Sequence, residues 1–307
     1  MIKEIVLSAL IFGIFNVAVQ AQETTNSGQT VSATTEYAKN PQAALMNLKE
    51  QPEHISSSLN ILHAVSEAEY AIVSRAYIRD GDYYYFISSA PETINSSVLI
   101  ETKEGQYQRS LVLAEDLAKF AAEALDKYSK TYAGTPIESY HQYAQEHMEE
   151  LKGIHIQNNQ VASQHKALFD ESKDMERFML ELLTQFVQQD IQPEIKTLDA
   201  IGEVYTYTID EAAANTLLSL AKPLAKNNKM LTGFVEQLEK GYVGTLGFSV
   251  ETGDVALSVA TVDGSDIIEF VLGTEESKLR KPDENQIMTA DEFTKMVGVD
   301  LFQQNIE

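Results

Sequence analysis

The chain has 307 residues, 44% of them hydrophobic and 8% aromatic, enough to bury one large core or two small ones. Its 46 acidic and 23 basic side chains leave a formal net charge of −23, which repels nucleic acid and anionic membrane surfaces and argues against a phosphate-backbone partner. There is no cysteine, which excludes disulfides, thiolate metal sites, cysteine nucleophiles and a lipid-modified N-terminal cysteine.

Met1 to Ala21 has the layout of a secretory signal peptide, with Lys3 ahead of the apolar run Ile5 to Val19 and a cleavage motif at Val19-Gln20-Ala21. The run is short for a membrane span, so no stable span is expected after cleavage; an uncleaved anchor is the alternative. Residues 22–40 are rich in Thr, Ser, Gln, Asn and Gly and read as a flexible linker. A single α+β domain is expected over 41–307, starting with a short helix at Pro41 to Gln51 whose stripe is Ala44, Leu45 and Leu48.

From His54 to Leu111 the pattern is that of strands. Glu69 to Arg79 alternates, Asp80-Gly81 signals a two-residue hairpin, and Tyr83 to Ser88 returns. Ser97 to Thr102 and Gln106 to Ser110 form a second pair, turned at Lys103-Glu104-Gly105. From about 113 to 192 the period becomes helical. One stripe is Leu113, Leu117, Phe120, Ala121, Ala124, Leu125 and Tyr128; a second is Ile137, Tyr140, Ala144, Met148 and Leu151. A third helix starts near Gln160 and carries Met175, Phe178, Leu182, Phe186 and Val187. This helical insertion falls between two blocks of strands, which predicts an α+β architecture rather than alternating βαβ units.

The last third carries the clearest signal. The strand Glu203 to Ile209 runs into a helix from Asp210 to Ala221, with Asp210 as N-cap, and a short helical stretch follows around Gly233 to Lys240. Then Leu246, Phe248 and Val250 share one face, as do Val255, Leu257 and Val259, and Ile268, Phe270 and Leu272. Such a meander has one greasy face that helices must cover.

Chemistry-bearing motifs are scarce. His141 and His147 are six apart, where a helical metal pair needs three or four, and His-Glu-x-x-His does not occur. Neither do a Gly-x-Ser-x-Gly elbow, a phosphate loop or an Asp-x-Asp calcium loop. Asp254 and Asp263 read as turn residues, and Asn95-Ser96-Ser97 fits a glycosylation acceptor pattern. The aromatic strand Tyr83 to Phe86 reads as core packing, with a ligand groove as its rival. No catalytic residue, metal site or cofactor is expected.

The order of elements resembles the LolA/LppX-like group of bacterial carrier domains. The likeness rests on the helix at Pro41 to Gln51, the hairpin at Ile72 to Ile87, the strand pair at Ser97 to Ser110, the strand and helix at Val204 to Ala221, and the meander at Gly244 to Gly273. The resemblance implies a curved antiparallel half-barrel packed against helices, with a lipid or other hydrophobic ligand between them, in a protein that is secreted or held at the bacterial cell surface or in the periplasm. Leu246, Phe248, Val250, Leu257, Val259, Ile268 and Phe270 would then line the sheet wall. Two rival expectations stand beside this non-enzymatic carrier. One is an interaction protein with a filled core that contacts a cell-surface protein through its acidic insertion; the other is a secreted hydrolase with an unrecognised acid pair.

Overall fold

The computed structural model describes residues 40–50, 55–65, 70–89, 96–198, 202–226, 228–249, 253–273, 279 and 281–302. The expected signal segment, the linker up to residue 39, His54, Asn95 and Val250 lie outside the described residues.

Helix α1 is Pro41–Glu50. Strands β1 (Ser56–Ala64), β2 (Tyr70–Asp80), β3 (Tyr83–Ser89), β4 (Ser96–Lys103) and β5 (Gln106–Leu113) follow. Helices α2 (Ala114–Tyr132) and α3 (Pro136–Leu151) lead to the short strand β6 (His155–Gln157) and the long helix α4 (Ala162–Val187). Then come β7 (Glu194–Leu198), β8 (Gly202–Ile209), α5 (Glu211–Ala225) and α6 (Lys229–Leu238). The meander β9 (Tyr242–Ser249), β10 (Val255–Thr261) and β11 (Asp266–Gly273) precedes β12 (Ile287–Thr289) and α7 (Ala290–Val297). The protein is therefore α+β with open, mostly antiparallel strand arrays, and its helical run separates two blocks of strands.

Where the sequence predicts one domain over 41–307, the described residues group into two compact units. One takes residues up to Gln51 and Leu180–Thr274, the other Pro52–Met179 and the residues from Glu275 on. The first unit has strand order β11-β10-β9-β8-β7, all antiparallel. Its register brings the apolar side chains into rows. Tyr207, Leu246, Leu257 and Phe270 stand opposite one another, as do Ile209, Gly244, Val259 and Ile268. Every member with a side chain is buried. Gly244 is required there: a Cβ at this position would fall 2.0 Å from the Ser258 carbonyl oxygen. Asp210 caps α5 as its sequence predicts, its carboxylate accepting the Ala213 N–H at 2.9 Å.

In the second unit the order is β12-β6-β5-β4-β3-β2-β1, antiparallel except for the parallel pair β12 and β6. The β2–β3 turn sits one residue later than expected, over Gly81-Asp82, because Asp80 stays in the ladder opposite Tyr83. Thr102 holds this turn by donating both its N–H and its hydroxyl to the Asp82 carbonyl. At the β4–β5 turn both central residues, Glu104 and Gly105, have positive φ (52° and 71°), the twist that a two-residue hairpin needs.

The buried stripe of α2 keeps Ala121 and Ala124 of the predicted one and differs in the rest. Ala114, Ala118, Ala121 and Ala124 are buried, whereas Leu117, Phe120 and Leu125 lie half-exposed beside them. Alanine is selected because α3 packs directly on α2 with Ile137, Tyr140 and Ala144, and the Tyr140 hydroxyl donates to the Ala114 carbonyl at 2.9 Å. Met148, expected on the α3 stripe, is exposed just after the helix departs from ideal geometry at His147. The C-terminal helix α7 adds Phe293 and Val297 to the same core. Thr289 and Glu292 form a reciprocal capping box at its start, and Gly298 closes it in the left-handed conformation.

Candidate functional site

The sheet wall in the first unit is built from alternate residues. Leu246, Phe248, Leu257, Val259, Ile268 and Phe270 are all at most 3% exposed. Helix side chains meet this face: Leu182 of α4 and Leu217 of α5 line a space with Leu257 and Val259, and Leu183, Ala213 and Ala221 on the same helices are buried. Phe186 meets Tyr207 edge-on at 5.9 Å, and Tyr207 meets Phe248 the same way at 5.8 Å. Helix α1 lies along the end of α4, where Lys49 pairs with Glu181 at 3.2 Å and the Gln42 amide donates to the Val187 carbonyl.

Among the described residues a space opens within this packing. It is lined by Leu182, Ile209, Ala214, Leu217, Leu238, Tyr242, Leu257 and Val259, and the volume open to the centre of a water-sized sphere is ≈ 20 Å³. That is room for about one water, and the lining residues are apolar apart from Tyr242. Ile209 and Val259 flank Gly244 in the register, so the space is bordered by a row whose centre lacks a side chain. Burial pushes the Tyr242 hydroxyl up to about 12, with Asp266 and Asp263 adding to the shift, and the phenol is neutral at ordinary pH. Of the sheet-wall residues expected from the sequence, Leu257 and Val259 line the space. Leu246, Phe248, Ile268 and Phe270 are buried in the wall but do not line it. Leu182, Leu217 and Leu238 stand on helical stripes and Tyr242 opens β9; only the tertiary packing singles them out.

The aromatic strand β3 splits its side chains. Tyr84 and Phe86 are buried with Tyr77 and Phe169, and Tyr84 meets Phe169 edge-on at 5.0 Å. Tyr85 points the other way, its hydroxyl donating to Asp116 at 2.8 Å beside the Ser97 hydroxyl at 2.9 Å. Within the aromatic cluster the Tyr77 hydroxyl donates to Glu176 of α4. Burial raises the Glu176 carboxyl above its ordinary range, and the Tyr77 hydrogen bond, Arg79 and Lys173 oppose it.

A folded-state value above the unfolded one means that Glu176 adds stability at low pH and loses it as pH rises through the folded value. Glu176→Gln keeps an acceptor for Tyr77 and removes the buried charge. The variant is expected to be at least as stable as the parent at pH 7, with a smaller stability difference between pH 5 and pH 7 in urea titrations. A variant clearly less stable than the parent at pH 7 would show that the charge itself holds α4.

The histidines are dispersed. His155 is buried with Nδ1 at 2.9 Å from the Gly153 carbonyl, His147 stacks on Tyr143 and meets Glu150 at 2.9 Å, and His141 meets Gln145. Among the described residues no group of three or more His, Asp or Glu is arranged to hold a metal ion. Asp263 serves its turn: its carboxylate accepts the Ser265 N–H at 3.0 Å and is pulled down to about 2 chiefly by that bond. Among the described residues no helix is long and apolar enough to cross a membrane.

No protein-family model matches the chain, and no curated protein matches it.

Proposed function

We propose that the protein is an exported, non-enzymatic interaction protein whose sheet–helix interface is a filled core and whose acidic helical insertion meets a basic surface on a partner. What supports this reading over a carrier is that, among the described residues, the space between Leu182, Leu217, Leu257 and Val259 has a volume of ≈ 20 Å³. A lipid-sized ligand needs a pocket of roughly 300–1,000 Å³. In a LolA/LppX-like carrier the helices α5 and α6 would have to lift from the sheet before such a molecule could enter. The insertion supplies the charge: α3 carries Glu138, Glu146, Glu149 and Glu150 and neither lysine nor arginine, and the last three are exposed. Such a face accelerates encounter with a cationic partner and weakens as salt rises.

Native mass spectrometry of the chain from Gln22 to Glu307, purified without detergent from its own secreting host, tests this directly. A clean apoprotein mass with no uptake of a hydrophobic fluorescent probe is the expected result. A co-purifying lipid-sized mass, lost when Phe270 is replaced by a charged residue that leaves the fold intact, would overturn it in favour of the carrier. On the interaction side, E146Q/E149Q/E150Q should weaken salt-sensitive attachment of the protein to its host's surface without changing its melting temperature.

A further inference from the structure

The first two turns of α4 are held to the second unit's sheet by few groups. Over Ala162–Phe169 only Phe169 is buried, and His165 and Leu168 are half-buried; the rest of the stretch faces outward or lies at its edge. Phe169 packs against Tyr84 and Tyr107. His165 makes the polar contact, with Nδ1 2.8 Å from the hydroxyl oxygen of Ser110 on β5. Ser110 is itself 3% exposed and accepts the Tyr107 hydroxyl at 3.3 Å. In the arrangement that gives the Ser110 proton an acceptor, Tyr107 donates to Ser110 and Ser110 donates to the Nδ1 lone pair of a neutral imidazole.

We propose that Ala162–Phe169 is an acid-released latch on β5, in which protonation of His165 frees the first turns of α4 and uncovers Phe169 and Tyr84. A proton on Nδ1 turns the acceptor into a donor. The Ser110 oxygen then faces two donors, and its own proton has lost its acceptor in a buried place, a costly arrangement. The imidazolium must also be held in a half-buried site, and burial already lowers the His165 titration below its ordinary range. A histidine with a lowered folded value gives stability that is present at neutral pH and lost as pH falls below the unfolded value near 6.5.

The charged and titratable groups facing this part of the helix do not supply a substitute. Tyr107 on β5 and Tyr84 on β3 offer phenol hydroxyls, and Arg79 of β2 sits over the Tyr84 ring at 5.2 Å. On the helix, Lys166 is paired with Asp170, and Lys173 donates to the Gly105 carbonyl at 2.9 Å. Further along, the Tyr77–Glu176 contact responds in the opposite sense, because protonating Glu176 relieves its burial cost. Acid should therefore loosen one half of this stretch of helix while its other half stays in place.

Hydrogen–deuterium exchange of the full chain at pH 7 and pH 5, corrected for intrinsic exchange rates, reads this out by peptide. Amides of 162–169 are expected to exchange roughly threefold or more faster at pH 5, and those of 173–179 no faster. In His165→Asn, which keeps an acceptor for Ser110 and cannot titrate, the acceleration should disappear. The same acceleration in the variant, or none in the parent, overturns the proposal. If His165→Asn fails to fold, the imidazole titration of His165 followed by NMR in the parent decides, and a midpoint at or above 6.5 overturns it.

Discussion

Phe248→Ala is expected to cost about 3–5 kcal/mol of stability, the range for removing a buried phenyl ring from a packed core. Phe248 is 1% exposed, lies opposite Val255 in the register and takes the edge-to-face contact with Tyr207. The size of the loss also discriminates between functional readings. In a filled core the deleted ring leaves a void that neighbours only partly close, so both the transfer and the cavity contribute. On the wall of a roomy ligand cavity the ring would already face space, and its removal would cost less than about 1.5 kcal/mol. Urea denaturation with local exchange in β8, β9 and β10 measures the difference. A loss at the small end would contradict the filled core proposed above.

Phe293→Ala is the counterpart in the second unit, with a similar expected cost of about 3–5 kcal/mol. Phe293 is fully buried, meets Tyr140 at 5.8 Å and touches the ring of Phe302 at 6.4 Å. An eight-residue helix such as α7 is not stable by itself in water, whatever its caps, so its packing decides whether it forms. Without Phe293 the segment from β12 through α7 should lose exchange protection and become open to limited proteolysis. The ion pairs of Arg109 with Glu284 and of Lys281 with Asp80 lie upstream and are partly exposed, and they should not hold it. Unchanged protection over 290–297 would refute the claim that Phe293 anchors this end.

Much of the architecture is legible because it is periodic. Val255 to Val259 alternates strictly in burial, Leu246 with Phe248 and Ile268 with Phe270 and Leu272 keep the same two-residue spacing, and one sheet face follows from that spacing. Asp210 announces its helix through cap chemistry, and Gly105 announces its turn through φ. Other parts were hidden for physical reasons. Strands β6 and β12 have three residues each, too few to show a period, and they pair across a long stretch of chain. The α2 stripe is right at Ala121 and Ala124 but misses Ala114 and Ala118, because leucine and phenylalanine look more hydrophobic than alanine, yet the alanines are the buried positions and Leu117 and Phe120 pack at their edge. The Thr289-x-x-Glu292 capping box could have revealed α7. As for the candidate site, its sheet wall is written in the two-residue spacing, but how far the helices fill the space beside it is not. A cavity is a small difference between two large packed volumes, and no residue pattern encodes it.

The alanine face of α2 carries one more consequence. Ala118, Ala121 and Ala124 have nothing left to trim, and any larger side chain there must push α3 away from its partner. The outward surface of the same hairpin is solvated, and exchanging one side chain for another there costs little. Substitutions should therefore accumulate unevenly across descendants of this chain. The inner seam would stay nearly frozen while the outer face drifts, leaving the rigid spacing of the two helices as the inherited trait and the charges displayed on it as the part free to diversify.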